Sequence, residues 1–150
     1  MNFDTRGQRV LIFENDRAVL EMLQIRLDVA GYHIMCARNG MAAIEMLGVM
    51  RPDVVIMEMA LPEADGFRIL EVLRQRYGMP PFPILIMGRA LGVEDIRRAV
   101  ALGARDCLAK PFSGADVLTR VSRLLQKRTD GPAMMAPAVQ ATPPMQSVVI

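Results

Sequence analysis

The chain has 150 residues, 52% of them hydrophobic and 23% charged, which describes one folded domain of ordinary size and excludes a disordered chain. Eighteen basic against sixteen acidic side chains leave a net charge of +2, too little to argue for nucleic acid or a membrane as partner. Two cysteines, Cys36 and Cys107, make no disulfide framework and lack metal-ligand spacing, so free thiols in a cytoplasmic protein are expected. The opening MNFDTRGQRV has no apolar leader pattern and no run of about 18 apolar residues occurs, so neither secretion nor membrane spanning is expected.

Five short apolar runs alternate with segments of helical period. The first run, RVLIF from Arg9 to Phe13, precedes a helix on which Val19, Met22, Leu23, Leu27 and Ala30 share a face, with Asp16 as N-cap and Gly31 just past the end. HIMCA, from His33 to Ala37, leads to a helix that starts near Asn39 and buries Ala43, Ile44 and Leu47. VVIM, from Val54 to Met57, leads to one that starts near Gly66 and buries Phe67, Leu70 and Leu73. After ILIM, from Ile84 to Met87, Val93, Ile96, Ala99 and Val100 are expected inward and Arg97 and Arg98 outward, before Gly103. CLA, from Cys107 to Ala109, precedes a helix opened by Ser113 and Asp116 at capping-box spacing, with Val117, Val121, Leu124 and Leu125 inward.

Five strands alternating with five helices imply an α/β fold, a doubly wound parallel sheet of flavodoxin-like type with right-handed crossovers. Reactive groups then gather outside the carboxyl ends of the strands. That rule points to Glu14, Asn15 and Asp16 after the first strand, Glu58 after the third, Gly88 after the fourth and Lys110 after the fifth. The domain is expected over residues 1–128, and 129–150, with four prolines and no usable periodicity, reads as a flexible tail. Its last six residues, MQSVVI, have the alternative of docking as a short strand. His33, the one histidine, lies far from the reactive edge, and the methionines read as core filler.

The stretches RVLIFENDRAVLEMLQIRLDVAGY, RPDVVIMEMALPEADGFRIL, FPILIMGRA and ALGARDCLAKPFSGADVLTRVSRLL, with LP..DG and AKPF in order, resemble the CheY-like receiver domain of bacterial response regulators over residues 9–127. The resemblance implies an aspartate after strand three that accepts a phosphoryl group from a histidine kinase, and acidic residues after strand one that hold Mg²⁺. It also implies a Ser or Thr after strand four, a lysine after strand five, and an aromatic on strand five that repacks the surface of helix four, strand five and helix five. On these positions the sequence has Glu58 for the acceptor, Glu14 and Asn15 for the acidic pair, Gly88 for the hydroxyl, Cys107 for the aromatic and Lys110 for the lysine; the following Pro111 is often preceded by a cis bond in the family.

Glu58 carries its carboxylate roughly 1.5 Å farther than aspartate does, and neutral Asn15 removes a full charge from the pocket. Mg²⁺ binding is therefore expected to be weak or absent, with no other cofactor or metal, and phosphorylation of the usual kind is not expected. Glu58 is expected to pair with Lys110, and Asp16 to cap its helix, inward ligation being its alternative. The reading is a binding module and not an enzyme: a single-domain atypical regulator in two-component signalling that acts by docking to a histidine kinase, a phosphotransfer protein or another signalling protein. The surface expected to carry this is Arg97, Arg98, Arg105, Arg120, Arg123, Lys127 and Arg128, which suits an acidic partner or the matching face of a second copy. The 22 residues after Arg128 are too few for a helix-turn-helix domain, so no direct contact with nucleic acid is expected. Two alternatives stand beside it: a phosphoryl-accepting receiver that uses Glu14, Glu58 and Lys110 with weak Mg²⁺ binding, or regulation by a small anionic ligand held by arginines such as Arg89. The intramolecular reading of Arg89 is that it folds over Glu58.

Overall fold

A computed structural model describes residues 7–130. The chain alternates β1 (Arg9–Phe13), α1 (Arg17–Val29), β2 (His33–Ala37), α2 (Gly40–Val49), β3 (Val54–Glu58), α3 (Gly66–Tyr77), β4 (Ile84–Gly88), α4 (Val93–Ala101), β5 (Asp106–Ala109) and α5 (Gly114–Asp130). The five strands form one parallel sheet in the order β2-β1-β3-β4-β5. The expected doubly wound α/β architecture is the one observed. Of the stretch read as a tail, residues 129 and 130 continue α5, and 131–150, MQSVVI included, lie outside the described residues.

The alternation of side chains along each strand sorts the core into two layers. Leu11, Phe13, Val55, Met57, Ile84 and Ile86 face α2, α3 and α4, while Val10, Ile12, Val54, Ile56, Leu85 and Met87 face α1 and α5. The central strands are apolar on both sides because helices cover both sides. That is why β3 and β4 read as unbroken apolar runs, and why β2, on the edge, has His33 and Met35 exposed.

The helix starts follow local chemistry. Asp16 accepts from the N–H groups of Ala18 and Val19, Asn39 from Ala42 and Asp65 from Arg68. Ser113 and Asp116 make the expected reciprocal box: Asp116 N donates to Ser113 Oγ at 3.1 Å and Ser113 N to Asp116 Oδ2 at 3.4 Å. Gly31 follows α1 with φ +98°, the left-handed position that closes a helix. Helix α4 departs from expectation. Only Ile96 and Ala99 are buried, whereas Val93 and Val100 are 50% and 43% exposed. A helix of nine residues on one face of the sheet buries a narrow stripe, and these two valines lie at its borders.

Gly40 shows how tightly the loop after β3 packs on α2. A Cβ there would lie within covalent range of the Ala64 carbonyl, and the Gly40 N–H donates to the Pro62 carbonyl at 2.9 Å. Gly40→Ala must push this loop away, with an expected loss of about 1–3 kcal/mol in urea unfolding. Gly48→Ala in the same helix, where the nearest heavy atom to the added carbon is Arg76 Nη1 at 3.8 Å, provides the contrasting baseline.

Candidate functional site

The carboxyl ends of β1, β3 and β5 converge on one ammonium group. Glu14, directly after β1, is held by its N–H on the Ala37 carbonyl at 3.1 Å, and Glu58 is the last residue of β3. Lys110 follows β5, is fixed by its N–H on the Gly88 carbonyl at 2.9 Å, and precedes a cis peptide bond to Pro111. Lys110 Nζ donates to Glu14 Oε1 at 2.6 Å and lies 2.5 Å from Glu58 Oε1. The second oxygen of each carboxylate is engaged too: Glu14 Oε2 accepts from Asp16 N at 2.9 Å and Glu58 Oε2 from Ala60 N at 2.8 Å. All three side chains are at most 7% exposed. The expected Glu58–Lys110 pair is thus present, but as half of a bridge whose other half, Glu14, the sequence did not announce as a lysine partner.

Two carboxylates share one ammonium, so the group retains one formal negative charge out of water. Burial pushes the Lys110 pKa down, but its hydrogen bonds to Glu14 and Glu58 and their charges outweigh this and leave it above the ordinary 10.5.

The other positions are arranged around this bridge. Asp16 serves as the cap of α1 through Oδ1, and its Oδ2 lies 3.9 Å from Arg89. Arg89 therefore does not fold over Glu58; it reaches across the mouth of the cleft to the half-exposed Asp16, because the Glu58 oxygens are already taken. Asn15 is exposed, and its carbonyl accepts from Arg38 at 3.1 Å. Gly88 is buried at the end of β4, and Cys107 is buried in β5. Burial, then the Asp106 charge, push the Cys107 thiol up to about 11 against the opposing Arg120, which makes it a packing residue and not a nucleophile. The open cleft above the bridge has a volume of about 520 Å³ and is lined by five carboxylates (Glu14, Asp16, Glu58, Asp65, Asp95) against two cations (Arg89, Lys110).

The arginine surface divides in two. Arg97 is exposed beside Glu94, and Arg105 and Arg123 are exposed as expected. Arg120 is not a surface residue: it donates to Asp106 Oδ1 at 2.7 Å and to the Cys107 carbonyl at 3.2 Å, with both partners of the ion pair at most 13% exposed. It faces inward because it stands one turn before Leu124 on the side of α5 that borders β5. Arg98 is exposed as expected, and its guanidinium lies along the surface over the Phe67 ring at 4.2 Å and onto Glu71 at 3.1 Å. Lys127 and Arg128 are placed within α5, and nothing is described of their side chains.

A family model described as the response regulator receiver domain matches residues 10–122. The chain belongs to the response regulator receiver domain family. Among curated relatives, it is 32% identical over 122 residues to the DNA-binding dual master transcriptional regulator RpaA of Synechocystis, covering 81% of this chain and 50% of that one. It is 33% identical over 132 residues to the response regulator MprA of a Mycobacterium species, covering 87% and 56%. The receiver thus spans about half the length of the curated relatives it matches. Among solved structures, a putative response regulator from Chloroflexus aurantiacus superposes with a TM-score of 0.73 at 30% identity, covering 81% of this chain and 99% of that one. The Vibrio cholerae chemotaxis protein CheY4 superposes with a TM-score of 0.72 at 26% identity, covering 78% and 98%.

Removing the ammonium from the receiver leaves two buried carboxylates unpaired, so Lys110→Met is expected to lower stability by about 3–5 kcal/mol in denaturant unfolding. Because the folded lysine has the raised pKa, the bridge contributes fully below pH 10.5 and its contribution is lost as pH rises through the folded value. Thermal melts across that range should fall more steeply for the wild type than for Lys110→Met. The two arginines of α5 should differ as well: Arg120→Ala is expected to cost about 1.5–3 kcal/mol, and Arg123→Ala less than about 0.5 kcal/mol, both read from denaturant midpoints.

Proposed function

We propose that this receiver works in two-component signalling as a protein-binding module whose phosphoacceptor position, Glu58, is occupied by an internal ion pair in place of an acyl phosphate. The observation that carries the reading is the Lys110 ammonium seated between Glu14 and Glu58 at 2.6 and 2.5 Å. A carboxylate that is to attack phosphorus needs a free oxygen lone pair aligned with the incoming group. Glu58 keeps lone pairs, but one oxygen is paired with Lys110 and the other accepts the Ala60 N–H, so the carboxylate is held towards the ammonium and its charge is drawn away from an incoming phosphorus.

The donor set does not fit Mg²⁺. That ion demands near-octahedral oxygens at about 2.0–2.1 Å, yet Glu14 is engaged through both oxygens, Asn15 is neutral, and Asp16 is spent on capping α1 and facing Arg89. Among the described residues no group of three or more His, Cys, Asp or Glu side chains is arranged to hold a metal. A small anionic ligand is disfavoured by the same charges, since five carboxylates line the cleft against two cations.

Signalling then rests on the face of α4, β5 and α5. Among the described side chains, Arg97, Arg98, Arg105 and Arg123 are its exposed cations, and Val93 and Val100 stand beside Arg97 on the outer side of α4. An acidic surface on a histidine kinase, a phosphotransfer protein or another cytoplasmic signalling protein suits this combination, as does the same face of a second copy when Glu94 is supplied to Arg97. The names of RpaA and of the mycobacterial regulator MtrA describe DNA-binding proteins, each about twice the length that aligns here. This reading concerns the aligned receiver, for which protein and not nucleic acid is the proposed partner, and no catalytic turnover is assigned to it.

Incubation of the full chain with acetyl phosphate and Mg²⁺, followed by intact-mass measurement, is expected to show no added phosphoryl group. Stoichiometric labelling that disappears in Glu58→Gln would establish the phosphoryl-accepting alternative instead.

A further inference from the structure

The wall of the cleft at the end of β4 is built by a residue from outside the strand. A Cβ added to Gly88 would lie 2.7 Å from Cγ, 2.9 Å from Cδ1 and 3.1 Å from Cδ2 of Leu91. The leucine isopropyl group therefore already fills the volume into which a residue-88 side chain would extend. Leu91 comes from the short turn that leads into α4, packs on the core layer of α2, α3 and α4, and lines the same cleft as Glu58 and Lys110. The Gly88 carbonyl accepts the Lys110 backbone N–H at 2.9 Å, and Leu91 and Lys110 line the same cleft.

A tetrahedral oxyanion beside Lys110 gives up water on the β4 side, and hydrocarbon there offers no donor in exchange. We infer that Leu91 determines what the cleft offers on this side: its isopropyl group, standing where a β4 side chain would stand, bars a hydroxyl donor at position 88 and leaves hydrocarbon facing any tetrahedral oxyanion in the cleft. The inference rests on the proposed function and deepens it, because it assigns the missing donor to a residue independent of the carboxylates. Refilling position 88 with a hydroxyl side chain is then insufficient while Leu91 remains, since the two groups compete for one space.

The test is made in the full chain on the triple variant Asn15→Asp, Glu58→Asp, Gly88→Thr, with and without Leu91→Ala, using acetyl phosphate and Mg²⁺ as probe and intact mass as readout. Labelling is expected to be about tenfold slower with Leu91 present than with Leu91→Ala. Equal rates, or no labelling of either protein, overturn the inference. Thermal melts of Gly88→Ala, Leu91→Ala and the double variant supply a second readout that needs no phosphodonor. Gly88→Ala should lower Tm in the Leu91 background and not in the Leu91→Ala background, and additive shifts count against the proposal. Labelling of the wild type on Glu58 would sink the proposed function alone, because the comparison between Leu91 and Leu91→Ala is made on restored carboxylates.

Discussion

One ammonium between two buried carboxylates organises the reactive end of this receiver. Lys110, Glu14 and Glu58 arrive from β5, β1 and β3, so a single side chain ties three strand ends together across the sheet. Burial of charge is costly unless every charge is matched, and here each carboxylate is matched twice, by the lysine and by a backbone N–H. The same engagement leaves little for an outside group to bind. In the proposed reading, the added reach of glutamate over aspartate serves this pairing of the Glu58 carboxylate with the ammonium.

Away from the cleft, arginines fasten the elements that flank it. Arg98 lies on the Phe67 ring and bonds Glu71, and Arg74 donates to the Ala101 carbonyl at 3.0 Å, so α4 is joined to α3 twice. Arg120 does the same for α5 and β5 through Asp106 and the Cys107 carbonyl. Cys107 is small and buried and packs in the core without an aromatic ring that needs room to turn. Arg97, Arg98, Arg105 and Arg123 remain on the outside, where the proposed docking would meet them.

Much of the local structure was legible in the chain. Short apolar runs and period-3.6 patterns located all ten elements, and Asp16, Ser113 and Asp116 marked helix starts because capping is chemistry between near neighbours. Helix α4 was misread in part for a physical reason: periodicity reports which residues share a side, not how wide a stripe the sheet covers, and Val93 and Val100 lie outside that width. Arg89 was misdirected because Glu58 pairs with Lys110, a partner distant in sequence, while the Asp16 carboxylate faces Arg89 across the cleft mouth.

The amino-acid sequence by itself determined the parallel α/β fold and the ring of positions at its carboxyl edge, because both follow from periodicity and from residue types at strand ends. Tertiary structure alone decided how those positions pair. Lys110 meets Glu14 across 96 residues, Arg120 turns from the surface to Asp106, and Leu91 fills the space that Gly88 leaves open. Such choices depend on distances of a few ångström between segments whose spacing is set only when the sheet and both helical layers close together, and no local pattern encodes them.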